Sequence, residues 1–134
     1  MSRNRLHRIA RLEPRQLGPN LLRLPLRIRT KFVRNGPRFD GSRCWIWTAA
    51  VTSRGYGSVK SRGSSRQAHL VVYEHIVRNG RPLRGKRCEL DHRCRNRRCV
   101  NPAHLEPVTR SENNRRSTCW HHLVNPNLRT KKSR

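Results

Sequence analysis

Residues 91–113 read DHRCRNRRCVNPAHLEPVTRSEN and concentrate two histidines, two cysteines and an Asp…Asn pair in one short stretch. Residues 87–91 predict a short strand ending in Asp91-His92. Residues 93–103 predict a loop that holds Cys94, Cys99 and the turn Asn101-Pro102. Residues 105–108 predict a second short strand, and Thr109-Arg110-Ser111-Glu112 has the S/T-x-x-E form of a capping box that opens a helix from Arg110 to about Arg116. Strand, loop, strand, helix is the expected order. It sets Asp91 and His92 at the end of one strand and Asn113 one turn into the helix, with room for a divalent cation between them.

Composition sets bounds on the rest. At 134 residues with 33% apolar residues, the chain has material for one small domain whose core needs a staple. Thirty-two Lys and Arg against seven Asp and Glu give a net charge of +25, which self-repels unless a polyanion is near, so nucleic acid is the expected partner. No apolar run reaches membrane-spanning length and the N-terminus lacks the apolar core of a secretory signal, so a soluble, intracellular, DNA-associated protein with no membrane partner is expected. Five cysteines, an odd number, point to metal ligands more than to a disulfide framework.

Along the chain, residues 1–20 predict a mobile basic arm broken by Pro14 and Pro19. Leu22, Leu24, Leu26 and Ile28 alternate with Arg and Pro, a period of two that predicts an edge strand. Residues 44–60 predict a β-hairpin, with CWIWTAAV outbound, GYG at residues 55–57 as the turn and GSVK returning. Residues 61–66 predict a polar loop. Residues 68–79 predict a helix with Leu70, Val71, Tyr73 and Val77 on its apolar stripe and Asn79-Gly80 as its stop; His69 and His75 on it are expected to serve packing or the surface.

Asp91-His92, the NPxHL of residues 101–105 and the VTRSEN of residues 108–113 resemble the HNH endonucleases, the ββα-metal or His-Me finger superfamily. Within it, the spacing of His92, Cys94, Cys99, His104 and Asn113 is similar to that of the His-Cys box homing endonucleases, and CWIWT, GYG and AHLVVYE loosely resemble phage and bacterial HNH proteins. The resemblance implies an α+β fold: a small zinc-stapled ββα-metal domain with an upstream β-hairpin and helix and flexible basic termini. The expected division is a basic arm at residues 1–30, a nuclease domain at residues 31–118 with its ββα core at about 87–116, and a basic tail at residues 119–134.

The resemblance also implies a mechanism. His92 is the expected general base, kept neutral by its positive surroundings, while Asn113 and Asp91 are the expected ligands of a magnesium-type cation. Cys94, Cys99 and His104 supply three ligands for a structural zinc, and the fourth is Cys44 or Cys88, with Cys44 favoured because it would tie the hairpin to the nuclease unit as an upstream cysteine does in the His-Cys box enzymes. Where many HNH proteins carry Asn, this chain has His104, which suits zinc. Beyond the helix, Cys119-Trp120-His121-His122 offers too few spaced ligands for a second zinc, and packing is expected of it. Arg93, Arg95, Arg97, Arg98, Arg110, Arg115 and Arg116 are the expected phosphate contacts. The expected function is a metal-dependent endonuclease on double-stranded DNA; cutting both strands would need two sites, as a homodimer supplies. The alternatives are a non-catalytic zinc-stapled nucleic-acid-binding protein and a basic RNA-associated protein, the latter disfavoured by the 5% aromatic content.

Overall fold

The computed structural model describes the backbone of residues 19–124 and the side chains of residues 21–117. The arm before residue 19, the tail after residue 124 and the side chains of Cys119 to His122 lie outside the described residues. The architecture is small α+β: four antiparallel strand pairs surround one well-buried helix. Among the described residues no helix is long and apolar enough to cross a membrane.

The segment expected as an edge strand is helical. It forms a 3-10 turn at Pro19–Arg23 and a short helix α1 at Leu26–Arg29. Leu24 and Ile28 are buried at 2% and 0% exposure while Leu22 and Leu26 stay out at 76% and 67%, so the apolar residues divide at the four-residue spacing of a helix. So short a helix has little intrinsic stability; tertiary burial of Leu24 and Ile28, about 1.5–3 kcal/mol each, decides the outcome. Pro25 begins α1 as its N-cap residue, and Arg23 and Arg27 donate to the carbonyls of Ile76 and Lys60.

The expected hairpin at residues 44–60 is kept only around its turn, where Val51 and Gly57 form an antiparallel bridge and the Thr52 N–H reaches the Tyr56 carbonyl at 2.7 Å; its outbound strand pairs elsewhere. Strand β1 (Phe32–Val33) pairs with β4 (Ile46–Trp47), while β2 (Arg38–Phe39) and β3 (Ser42–Arg43) form a small hairpin between them. The larger hairpin comes later: β5 (Ser58–Ser61) and β6 (Ser64–Gln67) turn through Arg62 and Gly63, which have φ of 53° and 80°. Positive φ at both central residues is the type I′ geometry that matches strand twist, so the polar Ser/Arg/Gly stretch expected as a loop is a turn with a strand on either side. Of the GYG glycines, Gly55 takes a turn φ of 87°, but Gly57 is needed for space: a Cβ there would meet the Trp47 ring at 2.8 Å and Ala68 at 3.0 Å.

Helix α2 (Ala68–Val77) is the centre of the fold, with Ala68, Val71, Val72 and Ile76 in one apolar cluster with Leu24, Ile28, Trp45, Trp47 and Val100. Tyr73 packs in a second cluster with Leu90 and Leu105. The expected stop holds: Asn79 and Gly80 both have positive φ, and the Gly80 N–H returns to the Glu74 carbonyl at 2.9 Å. Strands β7 (Glu89–His92) and β8 (Leu105–Val108) pair with Asp91 opposite Glu106 and His92 opposite Leu105. Helix α3 (Arg110–Val124) follows, opened as expected by Thr109, whose hydroxyl accepts the Glu112 N–H at 3.1 Å, although it runs beyond the expected end near Arg116.

A buried ion pair locks the hairpin to α2. Arg66 forks onto Glu74 at 2.9 and 3.0 Å, and the Leu83 N–H completes the carboxylate at 2.9 Å. Burial alone would raise the Glu74 pKa, but these bonds from Arg66 and Leu83 outweigh it and hold it below the usual value. Its stabilisation is therefore complete above the ordinary glutamate pKa of 4.5 and is lost as pH falls through the depressed folded value. Glu74→Gln should cost about 3 kcal/mol at neutral pH, since Arg66 would be left without its partner. Urea denaturation of both proteins at pH 7 and pH 3 checks this; a cost that fails to shrink at the lower pH would contradict the linkage.

Candidate functional site

Asp91, His92 and Asn113 line one cavity of about 40 Å³, together with Tyr56, Arg95 and Arg97. The ββα geometry produces this convergence. His92 ends β7, and Asn113 lies one turn into α3, its N–H on the Thr109 carbonyl at 2.9 Å. Asn114, one position on, lines the adjoining groove instead.

The His92 ring is 6% exposed, and its Nε2 lies 3.0 Å from the Cys99 carbonyl oxygen. A carbonyl can only accept, so Nε2 carries the proton and Nδ1 of the neutral ring is the basic nitrogen. The pKa of His92 is lowered chiefly by burial; Cys94 and Asp91 oppose the shift and Arg97 adds a smaller lowering effect. The expected neutrality is therefore present, but exclusion of water contributes more to it than the positive surroundings do.

Asn113 donates Nδ2 to Glu89 Oε1 at 2.9 Å, which turns its amide oxygen away from that carboxylate. Asp91 accepts from Arg95 on Oδ1 at 3.2 Å and from Arg116 on Oδ2 at 3.0 Å. A carboxylate and an amide oxygen on one small cavity are hard donors of the kind that could hold a magnesium-like cation.

A second cluster lies beside the first. One ligand atom each from Cys44, Cys94, Cys99 and His104 fall within 4.8 Å of one another, a set that could hold a metal ion. Three sulfurs and one imidazole nitrogen suit a soft or borderline metal in a closed shell. His104 Nδ1 is 3.5 Å from both Cys44 Sγ and Cys99 Sγ, while its Nε2 is 2.8 Å from Ser42 Oγ. With Nε2–H donating to the hydroxyl, Nδ1 is left as the coordinating atom. A hydrogen bond from Cys99, stronger here than the opposing effect of burial, pulls the Cys94 thiol down to about 4, and its bond to Cys44 lowers that thiol too. The same contacts and burial push Cys99 up, so Cys94 and Cys44 favour thiolate and Cys99 holds its proton more tightly. Cys88 is exposed and lies away from this cluster, on the groove beside Glu89 and Arg110.

The candidate arginines have varied surroundings. Arg98 donates both Nε and Nη2 to the Trp47 carbonyl at 3.0 and 2.8 Å, bracing the loop against β4. Arg93 pairs with Asp40 and lies over the Phe39 ring, and Arg97 donates to the Arg54 carbonyl and lies over Tyr56. Arg110 pairs with Glu89 and Arg115 with Glu112, both at the exposed start of α3. Arg116 bridges Asp91, Glu106 and Glu112. A guanidinium has five donors, so these pairings leave capacity for phosphate.

Two site residues escaped the sequence reading. His69, expected as a packing or surface residue of α2, is buried with its ring centroid 4.3 Å from that of His92. Tyr56, read only as a turn residue, lies 5.8 Å from both rings. Their separation in sequence from residues 91–113 hid them, and only the AHLVVYE string offered a signal.

Residues 66–115 match the model of a family described as HNH endonuclease, a span that takes in His69, both candidate clusters apart from Cys44, and Asn113. Protein 2.8 of Escherichia phage T7 is 37% identical over 76 residues, covering 57% of this chain and 50% of that protein, so the chain spans half the length of the curated relative it matches. No solved structure matches the chain.

Cys99 tests the four-donor cluster. Cys99→Ala should lower the melting temperature and abolish retention of one metal ion per chain after dialysis, as read by elemental analysis and thermal denaturation. Full metal retention by the variant would remove Cys99 from the ligand set.

Proposed function

We propose that this chain, a member of the HNH endonuclease family through residues 66–115, is a metal-dependent nuclease that hydrolyses phosphodiester bonds in double-stranded DNA. The observation that carries the reading is the convergence of Asp91, His92 and Asn113 on one cavity, with the tautomer of His92 set by a backbone carbonyl. The charge of +25 supplies long-range attraction to a polyanion, and the double helix is its densest common form.

In this reading His92 Nδ1 removes a proton from the attacking water. The ring is buried and neutral, so it is ready to accept that proton, and the Nε2 bond to Cys99 keeps it aimed during the transfer. Asp91 and the amide oxygen of Asn113 would hold magnesium or another divalent cation, which supplies Lewis-acid charge for the phosphorane and the leaving 3′ oxygen. Arg95 and Arg97 border the same cavity and orient the phosphate. Cys44, Cys94, Cys99 and His104 would hold zinc as a structural staple, since a closed four-donor shell leaves no position for substrate. Two chains acting as a homodimer would be needed to cut both strands. Similarity to a protein of Escherichia phage T7 supports a phage setting.

A second reading, a non-catalytic zinc-stapled nucleic-acid-binding protein, has one observation in its favour: both Asp91 oxygens are engaged by arginines, which compete with a cation. A plasmid-nicking assay with magnesium separates the two. The wild type should convert supercoiled to relaxed DNA, and His92→Ala should slow this by about 10²–10⁴-fold, the range of a general base, while retaining wild-type DNA affinity in a gel shift. Equal traces of cleavage from both proteins would leave the binding module as the better account.

A further inference from the structure

Beside the catalytic cavity lies a second groove of about 610 Å³, lined by Tyr56, Gln67, His69, Arg110, Asn113 and Ser117. Tyr56, Leu90, Asn113 and Ser117 line both spaces, so the two adjoin. His69 is only 3% exposed, and its Nδ1 is sealed from solvent with no hydrogen-bond partner among the described residues. A buried N–H without an acceptor is rarer in folded proteins than an under-satisfied acceptor, so the single proton of the neutral ring belongs on Nε2. That is the nitrogen left to face the groove that His69 lines.

We propose that His69 is a further catalytic residue, whose Nε2–H donates to a non-bridging oxygen of the scissile phosphate beside His92. The assignment rests on the nuclease reading above. Ring centroids 4.3 Å apart set the His69 ring directly beside that of His92, so a phosphate brought to the water of His92 comes close to it. Burial first, and the neighbouring His92 second, hold the His69 pKa well below its ordinary value, so the ring acts as a neutral donor. A donor fixed in a water-poor site and aimed at oxygens that gain charge contributes to the transition state more than to binding. The role differs from those of His92, Asp91 and Asn113: no proton transfer and no cation is assigned to His69.

The test uses the full chain and a DNA duplex spanning a mapped nick, with the scissile phosphate normal or as a single Rp or Sp phosphorothioate. His69→Ala should lower kcat by about 100-fold with little change in KM, the size of effect seen when one oxyanion donor is lost. His69→Gln, whose amide N–H can reach the place of Nε2, should recover most of that loss, and His69→Asn, whose amide stops short, should not. Sulfur accepts hydrogen bonds poorly, so one diastereomer should slow the wild type without relief by manganese, and His69→Ala should erase that slowing. Metal content of the cysteine cluster and gel-shift affinity, unchanged in the variants, confirm folding; if His69→Ala does not fold, the Gln and Asn pair decides. Wild-type kcat in both Gln and Asn variants, or thio effects in His69→Ala equal to those of the wild type, would overturn the proposal while leaving the nuclease reading intact. No cleavage by the wild type itself would overturn both.

Discussion

Cys99 joins the two halves of the site through a single residue. Its thiol belongs to the four-donor cluster, and its carbonyl accepts the His92 Nε2–H at 3.0 Å. Its backbone also forms a bridge with Ile46, and its neighbours extend that contact, with the Val100 N–H on the Trp45 carbonyl and the Trp47 N–H on the Arg98 carbonyl. The long loop between β7 and β8 is therefore laid against β4 as an added strand. Whatever holds the sulfur holds the carbonyl, and the carbonyl decides which nitrogen of His92 is basic. The four-donor cluster and the His92 cavity are thus mechanically coupled, although their side chains are separate.

Electrostatics are less uniform than the net charge indicates. Four of the seven acidic residues, Glu89, Asp91, Glu106 and Glu112, gather at the ββα unit, each facing an arginine. A small acidic centre is thus set within a basic surface. At close range in partly dry surroundings, such pairing is far stronger than screened attraction across the surface, so in the proposed nuclease local carboxylates would govern the site and the outer arginines the encounter with a polyanion. Arg98 illustrates the limit of counting charge: its guanidinium is committed to the Trp47 carbonyl, where it braces the loop.

The ββα unit was legible because its signals are local. A capping box fixes the start of α3, the Asn79-Gly80 pair fixes the end of α2, and the donor spacing within residues 91–113 leaves little freedom. Residues 22–28 misled because Leu at every second position satisfies a strand, yet alternate members of that set satisfy a helix, and only the arrival of α2 selects Leu24 and Ile28. The hairpin at residues 44–60 is legible only at its turn, where Val51 bridges Gly57, because aromatic, β-favouring CWIWT pairs backwards with Phe32, a partner that no local rule identifies, while serines disguise β5 and β6. His69 was hidden for the same reason: on α2 it is one polar residue among apolar neighbours, and its meaning depends on β7 packing across it.

The two arginines on Asp91 are not equivalent, and that difference bears on how the proposed nuclease could accept a cation. Arg116 is 28% exposed and is anchored at the same time to Glu106 at 2.7 Å and Glu112 at 3.0 Å, so it is fixed in place and fixes Asp91 Oδ2 with it. Arg95 is 38% exposed, stands on a loop residue with φ of 59°, and reaches Oδ1 at the longer distance of 3.2 Å. Held by one longer bond from the more exposed guanidinium, the Arg95 contact exchanges more readily than that of Arg116, which three carboxylates hold. In the proposed nuclease Oδ1 is the oxygen a divalent cation would take, and the guanidinium released already borders the cavity that a phosphate would enter. In the proposed enzyme, the ion pair that looks like competition with the metal serves to hold a carboxylate oriented and a phosphate-binding arginine nearby until substrate arrives.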